Sequence, residues 1–152
     1  MAVIAVFNQK GGVGKTTTTV NLTAGLARME MRPIAIDLDP QAHLTLTFGV
    51  APVTGETSIS AFFREDIPLP ALLREFVSGV RVIPAHMELS KVEALQSRSA
   101  TAARKLKMGL DESIGKEGVP ILIDCCPTLG VLSLNALLAA DRVLVPVSAD
   151  FL

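Results

Sequence analysis

A doubly wound α/β domain on a mainly parallel sheet is the fold this sequence predicts, and three observations predict it. Nearly continuous apolar runs of strand length recur along the chain. Each is closed by turn residues, and each is followed by a longer segment whose apolar positions have helical spacing. Runs that are apolar at almost every position suit strands covered on both faces, as in a parallel sheet, and the intervening helices serve as right-handed crossovers.

The first run, residues 3–7, reads Val-Ile-Ala-Val-Phe and is expected to be a strand; a helix follows at 15–29, opening directly after a glycine-rich stretch. A second strand is expected at 33–37, Pro-Ile-Ala-Ile-Asp. Between residues 48 and 70 Gly49, Pro52, Gly55, Pro68 and Pro70 break any long element. A helix is then expected at 71–77, a strand at 80–84, and helices at 88–96 and 102–114. The fourth strand, 120–124, reads Pro-Ile-Leu-Ile-Asp, a helix follows at 132–140, and the fifth strand is 142–147. There is no internal repeat, low-complexity tract or linker, so residues 1–152 are read as one domain. No helix follows the last strand, although a buried strand needs cover on both faces. Either that face is exposed, or another molecule covers it, or the chain is part of a longer protein. A hydrophobic content of 49% and a mean hydropathy of +0.46 favour the last, a domain lacking the C-terminal part of its fold.

Fourteen Lys plus Arg stand against fifteen Asp plus Glu, a formal charge of -1, so no overall field draws the chain to nucleic acid or an anionic membrane. The two cysteines, Cys125 and Cys126, are adjacent, where a disulfide is strained; a reduced, cytoplasmic setting follows. The N-terminus has no basic region before its apolar run, and no stretch approaches the roughly 18 apolar residues of a membrane span, so no membrane association is expected.

Chemistry enters at Gln9-Lys10-Gly11-Gly12-Val13-Gly14-Lys15-Thr16-Thr17, which joins the first strand to the first helix. In that context glycines 11, 12 and 14 let backbone N–H groups turn toward phosphate oxygens, and the helix N-terminus adds its dipole. Lys15 supplies a charge for the β- and γ-phosphates and the Thr16 hydroxyl a ligand for Mg²⁺. The strict pattern G-x-x-x-x-G-K-[ST] fails, because its first glycine falls at Gln9 and a second lysine, Lys10, stands beside it. Three carboxylates, Asp37, Asp39 and Asp124, sit at or just beyond strand ends, where open α/β sheets bind ligands. Mg²⁺ with an attacking water would resolve their mutual repulsion; the plainer reading of Asp37 is a cap on the following turn.

The loop from Lys10 to Thr16 resembles the deviant Walker A motif of the ParA/MinD family of P-loop ATPases. Asp39-Pro40-Gln41 resembles the family's Walker A′ segment, and Asp124 matches its Walker B aspartate. Leu132-Ser133-Leu134-Asn135-Ala136-Leu137 and Val143-Leu144-Val145-Pro146-Val147 extend the likeness nearly to the last residue, and Asp39-Pro40-Gln41 favours the ParA/Soj branch over MinD-type regulators. The resemblance implies that Lys10 is the signature lysine reaching the nucleotide of a second subunit. It implies that Lys10 to Thr17 contact ATP, that Asp39 positions the hydrolytic water, and that Asp124, with Thr16 and Asp37, serves Mg²⁺. Lys10, Lys15 and Asp39 are then the catalytic set. It further implies slow ATP hydrolysis coupled to an ATP-dependent homodimer in plasmid, chromosome or cargo partition, a ParB-like activating partner, nonspecific DNA binding by the full-length protein and a place on the nucleoid. Cys126 departs from the Asp-x-Pro-Pro that partition ATPases commonly show. The alternatives are a non-catalytic ATP-gated docking module and a MinD-like septum-site regulator.

The remaining signals have plainer readings. Cys125 and Cys126 lack the spacing of the family's cluster-bridging cysteines and read as a buried reduced pair. His43 and His86 lack a ligand-spaced partner. Arg98, Arg104, Lys105 and Lys107 form either a solvated helix face or a contact to DNA phosphates.

Overall fold

The computed structural model describes residues 2–50, 53–76, 78–96 and 101–149. Six strands pair in one sheet: β1 (Val3–Val6), β2 (Ile34–Leu38), β3 (Arg74–Glu75), β4 (Arg81–Ile83), β5 (Ile121–Cys125) and β6 (Arg142–Leu144). Their order is β3-β4-β2-β5-β1-β6, and every pairing is parallel except β3 with β4. The helices are α1 (Lys15–Arg28), α2 (His43–Thr47), α3 (Ile59–Glu65), α4 (Leu69–Leu72), α5 (Leu89–Gln96), α6 (Lys105–Glu112) and α7 (Val131–Ala139).

Both faces of the central strands β2 and β5 are covered, which is why they are apolar at nearly every position. On one side Ile34, Ile36 and Leu38 of β2 with Ile121 and Ile123 of β5 join a core built with Phe62 and Phe63 of α3, Leu106 of α6 and Leu132 and Ala136 of α7. On the other, Ala35 and Val82 meet Leu44 of α2 and Val20 and Ala27 of α1. β5 lies between β1 and β2, so the ends of these three strands share one sheet edge; Val6 is level with Asp124, and Asp124 with Asp37.

Two expectations change. The helix at 71–77 is absent: α4 ends at Leu72, and Arg74 and Glu75 form β3, their backbone groups paired across to β4 in an antiparallel ladder rather than along a helix; residue 77 itself lies outside the described residues. The stretch 48–70, where glycines and prolines are expected to break any long element, holds the seven-residue α3, capped by Ser58 accepting from the Ser60 N–H at 3.3 Å and buried from Ile59 to Phe63. The last strand stops at Leu144 rather than residue 147, because Pro146 has no N–H to pair. Among the described residues no helix is long and apolar enough to cross a membrane.

Candidate functional site

The loop after β1 takes its shape from two left-handed residues, Gly12 at φ 72° and Gly14 at φ 87°, conformations costly for any residue with a Cβ. Nothing in the protein lies within 4 Å of where a Cβ would project from Gly11, Gly12 or Gly14. The space is open to a ligand. Gly14 precedes α1 and offers no side-chain cap, so the first N–H groups of the helix face that space. Asn8 ties the loop down: its Oδ1 accepts from the Lys10 N–H at 2.9 Å and its Nδ2 donates to Pro146 O at 2.8 Å. Lys15 is buried, 8% exposed, and its ammonium curls back to donate to Lys10 O at 3.2 Å.

α1 reads Lys-Thr-Thr-Thr-Thr-Val, poor in intrinsic helix propensity. Its inward stripe, Lys15, Thr19 and Thr23, is polar, and Thr23 donates back to Thr19 O at 2.7 Å. That stripe serves Asp124. Thr16 Oγ1 donates to Asp124 Oδ2 at 2.7 Å, and Thr19 Oγ1 lies 3.4 Å from Oδ1. Burial nevertheless raises the Asp124 carboxyl to about 6, outweighing these hydroxyls and the nearby Lys15 charge. A desolvated carboxylate beside a hydroxyl is a hard oxygen pair, of the kind Mg²⁺ completes with phosphate and water. Among the described residues no group of three or more His, Cys, Asp or Glu is arranged to hold a metal ion, so a cation here must draw most of its ligands from elsewhere.

Asp37, expected from sequence to serve the metal, lies beneath the segment after β2. It is 0% exposed, and both oxygens are engaged: Oδ2 accepts from the Thr45 N–H at 2.9 Å and the Thr45 hydroxyl at 2.7 Å, and Oδ1 from the Asp39 N–H at 3.1 Å. Thr45 Oγ1 in turn accepts from the Ala85 N–H at 2.9 Å. Burial raises the Asp37 carboxyl to about 7 in spite of three donors. These bonds tie Asp37 to the segment after β2. Asp39 is half-buried, with Oδ1 accepting from the Gln41 N–H at 2.9 Å.

These elements enclose a cleft of about 600 Å³ with three walls: Gly11, Gly12 and Gly14 to Thr17 from the loop and α1; Asp39, Pro40, Gln41 and His43 after β2; and Cys126, Pro127 and Thr128 after β5. Of the residues predicted from sequence, Gly11, Gly12, Gly14, Lys15, Thr16, Thr17 and Asp39 line it, and Asp124 reaches it through Thr16. Lys10 is exposed and Val13 half-buried, and neither lines the cleft. Sequence reasoning does not find Asn8, Thr19, His43 or Thr45. Thr19 does carry a signal, standing four residues after Lys15 on one helix face; Thr45 has no local signal, because its role depends on α2.

Cys125 and Cys126 are buried free thiols, and burial pushes both above the ordinary thiol range, as a reduced structural pair should be. Of the basic run, Lys105 is engaged by Phe63 O at 2.9 Å and Asp66 at 2.6 Å, and Lys107 pairs with Asp111 at 3.4 Å. Arg98 lies outside the described residues.

A family model described as an AAA domain matches residues 1–152. The chromosome partitioning protein ParA of Caulobacter vibrioides is 38% identical over 154 residues, covering 99% of this chain and 57% of that protein. The sporulation initiation inhibitor protein Soj of Bacillus subtilis is 37% identical over 150 residues, 98% of this chain and 59% of Soj. Among solved structures, cobyrinic acid a,c-diamide synthase from Mycobacterium smegmatis, with a bound ATP analogue and magnesium, superposes with a TM-score of 0.89 at 37% identity, covering 97% of this chain and 60% of that one. The chain thus spans 57% to 60% of the length of these relatives.

Proposed function

The chain belongs to the ParA/Soj type of partition ATPases, and from that premise we propose that it binds ATP with Mg²⁺, hydrolyses it slowly, and pairs with a second ATP-loaded copy to drive partition of a plasmid, chromosome or other cargo. The observation that carries this reading is the cleft itself, which joins a phosphate cradle, a buried lysine, a Thr16–Asp124 oxygen pair and a carboxylate, Asp39, on the facing wall. The amides of Gly11 to Thr16 and the α1 N-terminus bind phosphate, and Lys15, freed from Lys10 O, adds its charge. Thr16 and Asp124 hold the cation, whose charge offsets that of the phosphates when it is bound. Asp37 fixes the backbone of Asp39, and Asp39 orients the attacking water. Lys10, exposed on the rim, supplies its charge to the other subunit's nucleotide. A ParB-like activator, nonspecific DNA and the nucleoid belong to the same reading of the full-length protein.

The chain has no Trp or Tyr, so calorimetry rather than intrinsic fluorescence reports binding. Lys15→Ala is expected to abolish Mg-ATP and Mg-ADP binding, and Asp39→Ala to retain binding while phosphate release stops. Equal affinity in wild type and Lys15→Ala would overturn the site. Wild-type binding without phosphate release would favour the non-catalytic docking module instead.

A further inference from the structure

The wall facing the phosphate loop carries a side chain that the roles above leave unused. His43 is exposed at the start of α2 and lines the cleft beside Asp39, Pro40 and Gln41. Topology indicates which part of a bound nucleotide it meets. Because β5 lies between β1 and β2, the phosphate loop after β1 and the segment after β2 face each other across the end of β5, where Thr16 and Asp124 join. Phosphate held by the loop amides sits on the β1 side. A chain of phosphates that continues past the Thr16–Asp124 pair ends against the β2 wall, so that wall meets the terminal phosphate. Asp39, an acceptor when ionised, cannot bind a phosphate oxygen there. An imidazole N–H can.

The base on which His43 stands is held firmly. Ala42 adopts φ 55° and ψ 31°, a left-handed conformation disfavoured for a residue with a Cβ, and this turns the chain so that α2 opens at the cleft. The turn is closed by the Ala42 N–H donating to Asp39 O at 2.9 Å and the Leu46 N–H to Ala42 O at 2.9 Å. Two residues on, Thr45 is bonded both to Asp37 at the end of β2 and to Ala85 beyond β4. With its backbone so constrained, His43 has only its side chain left to order on a ligand.

We infer that His43 donates a hydrogen bond to the terminal phosphate of a nucleoside triphosphate and so sets the preference of this cleft for triphosphate over diphosphate. The inference rests on the ATP reading above, and one measurement separates the two. Dissociation constants for a slowly hydrolysed ATP analogue and for ADP, each with Mg²⁺, are measured by calorimetry on the wild type, His43→Ala and His43→Gln. His43→Ala is expected to weaken the triphosphate roughly tenfold or more, as loss of one hydrogen bond to a charged group should. ADP affinity should stay within about twofold. His43→Gln, which keeps an N–H donor at a reach like that of the imidazole Nε2 but on a more flexible stem, should recover part of the loss. A merely structural role would lower both affinities together, and that result overturns the inference, as does an unchanged ratio in His43→Ala. If the wild type binds neither nucleotide, the ATP reading falls and this inference with it.

Discussion

Two carboxyl groups, Asp37 and Asp124, lie level with each other on neighbouring strands at the floor of the cleft, and burial is the main reason both hold their protons more tightly than free side chains do. The pH dependence of stability follows from that sign. Below about pH 4 both groups are protonated in the folded and the unfolded chain, and neither contributes. Between there and about 6 for Asp124, or about 7 for Asp37, the unfolded chain ionises while the folded one keeps its protons. The folded state then binds more protons, so stability falls as pH rises through that window and levels off above it. Each tenfold difference in proton affinity corresponds to about 1.4 kcal/mol. Urea unfolding of the nucleotide-free chain is therefore expected to show a higher midpoint at pH 5 than at pH 8, with the difference reduced in Asp37→Asn. A midpoint that rises over this range would show that other groups dominate the folded state's proton balance.

Among the secondary-structure elements, α7 shapes a cleft wall without lining it, because the Cys126–Thr128 segment leads into it. Its start is held from α5. The Glu93 carboxylate accepts from the Val131 N–H at 3.0 Å and the Leu132 N–H at 3.1 Å, satisfying two of the helix's unpaired leading amides with a negative charge at the positive end of its dipole. Gly130 is required for this arrangement, since a Cβ there would collide with Glu93 Oε1. Glu93→Ala should cost about 1–2 kcal/mol of stability, the range for removal of a helix cap. Gly130→Ala should cost a similar amount by displacing the same carboxylate. Because both substitutions remove the same cap, the double variant should be less destabilised than the sum of the two; additive losses would mean that Gly130 acts independently of Glu93. The clamp joins residues 38 positions apart, and no local pattern in the sequence announces it.

At the scale of the whole molecule the exposed side chain of Lys10 matters most, because it projects from the rim of a cleft it does not line. If its charge acts in a second copy, Lys10→Ala should leave ADP affinity nearly intact, since Lys15 and the loop amides remain. ATP-dependent pairing should fall, because removing a charge-assisted hydrogen bond from a desolvated interface costs on the order of 2–5 kcal/mol. Sedimentation of wild type and Lys10→Ala with a slowly hydrolysed ATP analogue, best in a chain as long as the relatives', decides the matter: equal dimerisation would remove Lys10 from the interface. β6 forms an edge of the described sheet, with Val143, Val145 and Val147 exposed. The fifth run of the sequence thus pairs with β1 on one side and leaves these valines exposed.

Residues 3–7, 33–37, 80–84 and 120–124 could be recognised as strands because a doubly covered strand is apolar along its own length, a property written locally, and the last strand by the apolar run that contains it. The phosphate loop was legible for the same reason, since glycine φ angles, a helix start and Lys15 fall within a few consecutive residues. What a residue bonds to across the fold was not legible. β3 exists because β4 offered an unpaired edge, and α2 because Leu44 found the Ala35–Val82 face. Asp37, expected from sequence to serve the metal, has its oxygens engaged in the structure by Thr45, eight residues away, and by the Asp39 amide. His43 reached the cleft because Ala42 was held left-handed. The sequence by itself determined which segments are strands and where phosphate can be cradled, because these depend on patterns over a few neighbouring residues. Only the tertiary structure decided which carboxylate is sealed behind the segment after β2 and which lines the cleft, because Thr45 and the Asp39 amide occupy both oxygens of Asp37 while Asp39 stands on the cleft wall.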